Sequence, residues 1–94
     1  MDNLESVLQE GKYTLIDVRE PMELDLDGAI DGAINIPLGE IEERANEILA
    51  IDGNVILFCR SGNRSGQALA YLQSQGLQKG FNGGGYAELS QKIG

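Results

Sequence analysis

A chain of 94 residues has the size of one domain and enough length to bury about two-thirds of the surface its unfolded form exposes. Hydrophobic residues at 41%, charged residues at 23% and only two prolines exclude the disordered and low-complexity classes. A net charge of −8 argues against nucleic acid and anionic membrane as partners, the single cysteine excludes an internal disulfide, and without histidine a metal or haem site is discounted, so no cofactor is expected.

From the N-terminus, Leu4, Val7 and Leu8 recur at helical spacing behind Asn3, a candidate N-cap, and Gly11 stands where a helix stops. Tyr13 to Val18 is rich in β-branched and aromatic residues and reads as a buried strand, broken by Arg19-Glu20-Pro21. Leu24, Leu26 and Ile30 then lie among Asp25, Asp27, Gly28, Asp31 and Gly32, a loop composition that predicts irregular chain leading to a short strand at Ala33 to Ile36, closed by Pro37. From Leu38, the positions Ile41, Ala45, Ile48 and Leu49 keep a helical period with Glu42, Glu43, Arg44 and Glu47 opposite, which predicts an amphipathic helix. Asp52-Gly53-Asn54 is a turn signal, and Val55 to Phe58 is an unbroken apolar run, as expected of a central strand. Cys59 follows directly. A polar loop to Arg64 precedes helical spacing from Ser65 to Gln75 through Ala68, Leu69 and Leu72, ending at Gly76. A short strand at Gly80 to Asn82, a tight turn at Gly83 to Gly85 and an amphipathic helix carrying Tyr86, Leu89 and Ile93 complete the chain.

Strands alternating with helices give one α/β domain over residues 1–94, with a small, mostly parallel sheet flanked by helices on both faces. Ligands of such sheets bind beyond the carboxyl ends of the strands, where Cys59 falls. No apolar run approaches the roughly 18 residues that span a bilayer, and Met1 to Glu10 carry acids where a signal peptide carries bases. A monomeric, cytoplasmic protein is the expectation. Charge divides unevenly: residues 1–53 hold 14 acids and 3 bases, whereas residues 54–94 hold four bases and one acid, with the cysteine in the cationic part. The acidic part reads as a solvated face, with docking of a basic partner as the alternative.

The segment Cys59-Arg60-Ser61-Gly62-Asn63-Arg64-Ser65-Gly66 carries the chemistry. As a strand-to-helix turn it converges backbone N–H groups on its centre, and the following helix adds partial positive charge at its N-terminus. Gly62 and Gly66 permit the conformations this needs, while Arg60 and Arg64 add formal charge. A thiol in such a bowl ionises more readily than a free one, so the nucleophile needs no base. Cys-His catalysis is excluded by composition, as is dithiol exchange within the chain. Asp17 and Arg19 read as a structural pair fixing the loop after the first strand, with an acid and cation lining the pocket as the alternative, and Tyr86 reads as a core or rim aromatic.

Cys59 to Ser65 resembles the active-site loop of the rhodanese family. Three further segments resemble that family's signatures, in its order: Leu15 to Glu23, Ile30 to Leu38, and Gly84-Gly85-Tyr86-Ala87-Glu88-Leu89. Two positions depart, with Ala29 where many relatives have histidine and Leu89 where many have tryptophan. The resemblance implies a sulfurtransferase that works by double displacement. The Cys59 thiolate takes the outer sulfur of a donor such as thiosulfate and passes it to a thiol or cyanide. Arg60, Ser61, Gly62, Asn63, Arg64 and Ser65 would hold the donor. A module that receives sulfur from a partner protein is the alternative. Phosphatases and arsenate reductases with a similar cradle place arginine six positions after the cysteine, which here is Ser65, and so they fit less well.

Overall fold

The buried apolar runs of the first and third strands form the centre of the sheet, and a two-residue strand and a glycine-rich strand flank them. β1 (Tyr13–Asp17), β2 (Ile34–Asn35), β3 (Asn54–Cys59) and β4 (Gly80–Gly85) form one sheet in the order β2-β1-β3-β4, with every pair parallel. The computed structural model describes residues 3–93, so Met1, Asp2 and Gly94 of the expected domain lie outside the described residues. Alternation along each strand splits the core. Leu15, Ile56 and Phe58 point to one face, where they pack with Val7 of α1 (Leu4–Glu10) and Leu89 of α5 (Tyr86–Ile93). Ile16, Val55, Leu57 and Cys59 point to the other, under Ile48 of α3 (Ala45–Leu49) and Ala68 and Leu72 of α4 (Asn63–Ser74). The expected α/β architecture, helices on both faces, is what forms, and the sheet is wholly parallel. Leu89 is fully buried, so leucine fills the position where tryptophan was missed, while Ala29 is exposed.

The first helix behaves as read: Asn3 accepts a hydrogen bond from the Ser6 amide at 3.0 Å, and Gly11 closes the end at φ +76°. Four expectations need correction. The stretch after Pro21 is not irregular but a helix, α2 (Pro21–Asp27). Proline suits the first helical position, and the Glu20 amide donates to the Glu23 carboxylate at 2.8 Å, so the acidic composition masked a capped start. The strand expected at Ala33 to Ile36 contracts to Ile34–Asn35, since it pairs only with the end of β1. The helix expected from Leu38 is a 3-10 turn (Leu38–Glu40) and then the short α3, although Ile41, Ala45 and Ile48 are buried as their spacing required.

The glycine run provides the fourth correction. Gly83 to Gly85 is no tight turn; it continues β4 to the level of Cys59. Leu57 pairs with Asn82 and Phe58 with Gly84, which leaves Gly83 as an inserted bulge residue. A side chain there would start 2.8 Å from Ile56 Cγ2, so the glycine is needed for the close approach of strand and core.

Candidate functional site

The end of β3 delivers Cys59 to the carboxyl edge of the sheet, and the chain then reverses into α4 over Arg60, Ser61 and Gly62. Gly62 takes φ +97°, a left-handed value that favours glycine, and this conformation turns its amide back onto the sulfur. The Gly62 N–H donates to Cys59 Sγ at 3.0 Å, and the Ser65 hydroxyl lies 3.5 Å from the same atom. Burial pushes the Cys59 thiol up, but the Ser65 hydroxyl and the amides of Ser65, Ser61 and Gly62 stabilise the anion more, bringing its pKa from 9.0 down to about 7. No base is involved. The sulfur is nevertheless sealed: Cys59 has 0% exposure, closed in by its own loop and by the core under α4. The expected open bowl is a covered one.

Of the residues singled out by sequence, Ser61, Gly62 and Ser65 converge on the sulfur. Asn63 opens α4 and is exposed. The two arginines go elsewhere. Arg64 lies in the first turn of α4, where the helix dipole disfavours a cation, and it forms a two-pronged pair with Glu23 at 2.6 and 2.8 Å. That pair holds the Glu23 carboxyl well below the usual range, to about 2, helped by the Glu20 amide, and raises Arg64. Arg60 is exposed and lines a cleft on the opposite side of the strand end, with Arg19, Asp27, Tyr86 and Ala87.

Two residues that brace the loop were not singled out. Asn82 ties β4 to the loop: its Nδ2 donates to the Gly62 carbonyl at 3.0 Å, and its Oδ1 accepts from the Ser65 hydroxyl at 2.8 Å and the Gly84 amide at 2.9 Å. A polar residue within a glycine-rich strand was the available signal. Glu23 is the other, and nothing local in the sequence announces a partner 41 positions away. Beneath the site, Asp17 and Arg19 form the structural pair expected of them. Both are buried, Arg19 Nη2 donates to Asp17 at 2.6 Å and to the Gly28 carbonyl at 2.9 Å, and its guanidinium carbon lies 4.3 Å from the Tyr86 ring centre. Tyr86 is half-buried at that rim.

Comparison with known proteins places this loop among relatives. A model described as a rhodanese-like domain matches residues 1–92. The thiosulfate sulfurtransferase PspE of Escherichia coli is 37% identical over 76 residues, covering 80% of this chain and 72% of PspE. The putative sulfur carrier protein YrkF of Bacillus subtilis is 37% identical over 78 residues, covering 83% of this chain and 41% of YrkF. The chain spans less than two-thirds of the length of several curated relatives it matches, 64% and 62% in two other cases. The crystal structure of a rhodanese-related protein from Thermoplasma volcanium superposes with a TM-score of 0.77 at 34% identity, covering 100% of this chain and 94% of that one. Among the described residues no helix is long and apolar enough to cross a membrane. With a cysteine cradled by amides after the third strand and these matches along nearly its whole length, the chain belongs to the rhodanese-like domain family.

Proposed function

We propose that this domain transfers sulfane sulfur through a persulfide on Cys59, taking it from thiosulfate or a similar anionic donor. The observation that carries the reading is a lone thiol brought down to about 7 by converging donors, with no base in reach. The Cys59 thiolate attacks the outer sulfur of thiosulfate. A bond forms between the two sulfurs, the donor's own S–S bond breaks, and sulfite leaves with the electron pair. A thiolate or cyanide then attacks the outer sulfur of the persulfide, and the bonding pair returns to Cys59 Sγ as the thiolate. The amides of Ser61, Gly62 and Ser65 hold anionic sulfur at both stages, in the manner of an oxyanion hole. Arg64 contributes positive potential from the rim while bound to Glu23, and Ser61 and Asn63 offer exposed polar groups to the donor's sulfonate. Because the sulfur is sealed in the resting state, the loop opens before the donor reaches it.

A second reading, receipt of sulfur from a protein donor, is favoured by one observation, the similarity to a relative described as a sulfur carrier. Mass spectrometry after exposure to thiosulfate tests both. One added sulfur on the wild type and none on Cys59→Ser supports the thiosulfate enzyme. Loading only from a persulfidated protein supports the relay, and equal gain on Cys59→Ser removes both.

A further inference from the structure

The guanidinium fork beside the cysteine loop is already filled. Arg64 Nη1 and Nη2 donate to the two oxygens of Glu23 at 2.6 and 2.8 Å, the paired geometry that a guanidinium offers to any oxyanion of matching spacing. Of the loop's two arginines, Arg60 faces the opposite side of the strand end. Arg64 stands between Gly62 and Ser65, which reach Sγ at 3.0 and 3.5 Å, and the charge of the Cys59 anion helps to raise it. The pair is open to water, with 32% of the Arg64 side chain and 22% of the Glu23 side chain exposed, so a dissolved anion can meet the fork. Glu23 is not released by protonation near neutrality, because its carboxyl is held at about 2. The Glu20 amide, 2.8 Å from Oε2, also keeps it in place at the start of α2. Among the described residues Glu23 alone bonds the Arg64 side chain, and Glu20 acts on it only through its field.

We propose that Glu23 is a specificity residue whose carboxylate occupies the Arg64 fork in place of a donor's sulfonate, so that a small anionic donor is captured there only by displacing it. The inference rests on the sulfur-transfer reading and says which donors the site selects. The exchange swaps one anion for another: the sulfonate oxygens accept from Nη1 and Nη2, Glu23 keeps the Glu20 amide and turns its other oxygen to water, and no proton moves. This competition weakens capture of the donor by about fivefold, the factor to which roughly 1 kcal/mol of a surface ion pair corresponds. A persulfidated protein that brings contacts of its own does not depend on the fork and is not held back. The pair therefore biases the site against free thiosulfate and towards donors with contacts elsewhere.

The test compares alkylation of Cys59 by iodoacetate, an anion, with alkylation by neutral iodoacetamide, a ratio in which the thiolate fraction and any opening of the loop cancel. Glu23→Gln keeps an oxygen for the Glu20 amide and should raise that ratio about fivefold, with a matching fall in the KM for thiosulfate during persulfide loading. In an Arg64→Ala background the same change should raise it by less than about twofold, since no fork is left to free. If both reagents speed up equally in Glu23→Gln, the pair is only a brace on the loop and the proposal is overturned. An equal gain with and without Arg64 overturns it too. In the unmodified protein, methanesulfonate should shift the Arg64 side-chain Nε–H signal in NMR, and a signal that stays still overturns the proposal whether or not the variants fold. A ratio that responds as expected in a protein that never takes up sulfur would sink the sulfur-transfer reading and leave Glu23 as the guard of Arg64 against anions. A persulfide that forms with the same KM in both proteins, with the ratio unmoved, would sink the role of Glu23 alone.

Discussion

Substituting Ser65 by alanine removes the hydroxyl that does most to hold the Cys59 thiolate, and the expected size of the effect follows from the geometry. The depression from 9.0 to about 7 is two units. It corresponds to roughly 2.7 kcal/mol in favour of the anion. A hydrogen bond to a charged group is worth about 1.5 to 3 kcal/mol. Ser65 delivers less than that, because its one proton is shared between Sγ at 3.5 Å and Asn82 Oδ1 at 2.8 Å. A rise of about one unit is therefore expected, taking the thiolate at neutral pH from about half to about a tenth of the protein. The sign is fixed: donors favour the charged form, so losing one raises the pKa. The assay is the pH dependence of iodoacetamide alkylation, whose midpoint should move from about 7 to about 8, with the two proteins converging once both thiols are fully ionised. A wild-type midpoint left at the ordinary thiol value of 9.0 would refute the cradle. An unmoved midpoint in Ser65→Ala would refute the role of the hydroxyl.

Other expectations follow from the same contacts. The Cys59 acid is depressed on folding, so it adds stability above its unfolded value of 9.0, and that stability is lost as pH falls through about 7. Chemical denaturation should find the gap between wild type and Cys59→Ala widening by about 2 kcal/mol from pH 6 to 9.5. Arg64→Ala leaves the half-buried Glu23 without its partner and should cost about 1 kcal/mol, a Tm drop of about 4 to 8 °C, with the Glu23 carboxyl returning towards 4.5 when followed by NMR. Gly85→Ala would set a methyl 2.6 Å from the Arg60 carbonyl, a backbone atom with no freedom to yield, so persulfide loading should fall at least about tenfold while circular dichroism stays native. Arg19→Met would strand the buried Asp17 carboxylate, and calorimetry should register a loss of about 3 to 5 kcal/mol.

What was legible in the sequence was what lies close together along the chain. The cysteine loop spans seven residues, and its amides, its Gly62 hinge and its outlet into α4 follow from that order alone. The sheet was legible because apolar runs of the length of Val55 to Phe58 have few other ways to be buried. The acidic stretch after Pro21 failed because composition was weighed above capping, and Glu23 serves both as a local cap of α2 and as the ion-pair partner of Arg64, a role that appears only once the two are brought together in the fold. Asn82 and Gly83 failed for a related reason: a bulge is defined by the partner strand, and nothing within Gly80 to Gly85 states which residue will be left unpaired.

The same distinction explains why the arginines were harder to place than the cysteine. Charge counted along the chain put Arg60 and Arg64 together beside the sulfur, but consecutive strand-end residues point to opposite faces, and a helix's first turn faces whatever packs beside it. Arg60 therefore leaves on the α5 side, into the cleft with Tyr86, while Arg64 meets Glu23 on α2. What stabilises the anion at Sγ is the Ser65 hydroxyl together with the amides of Ser65, Ser61 and Gly62. The amide dipoles cannot be titrated away or swung aside, which makes much of the acidity of Cys59 a property of backbone shape. Glycine substitutions that move the backbone should then disturb it more than removal of either guanidinium.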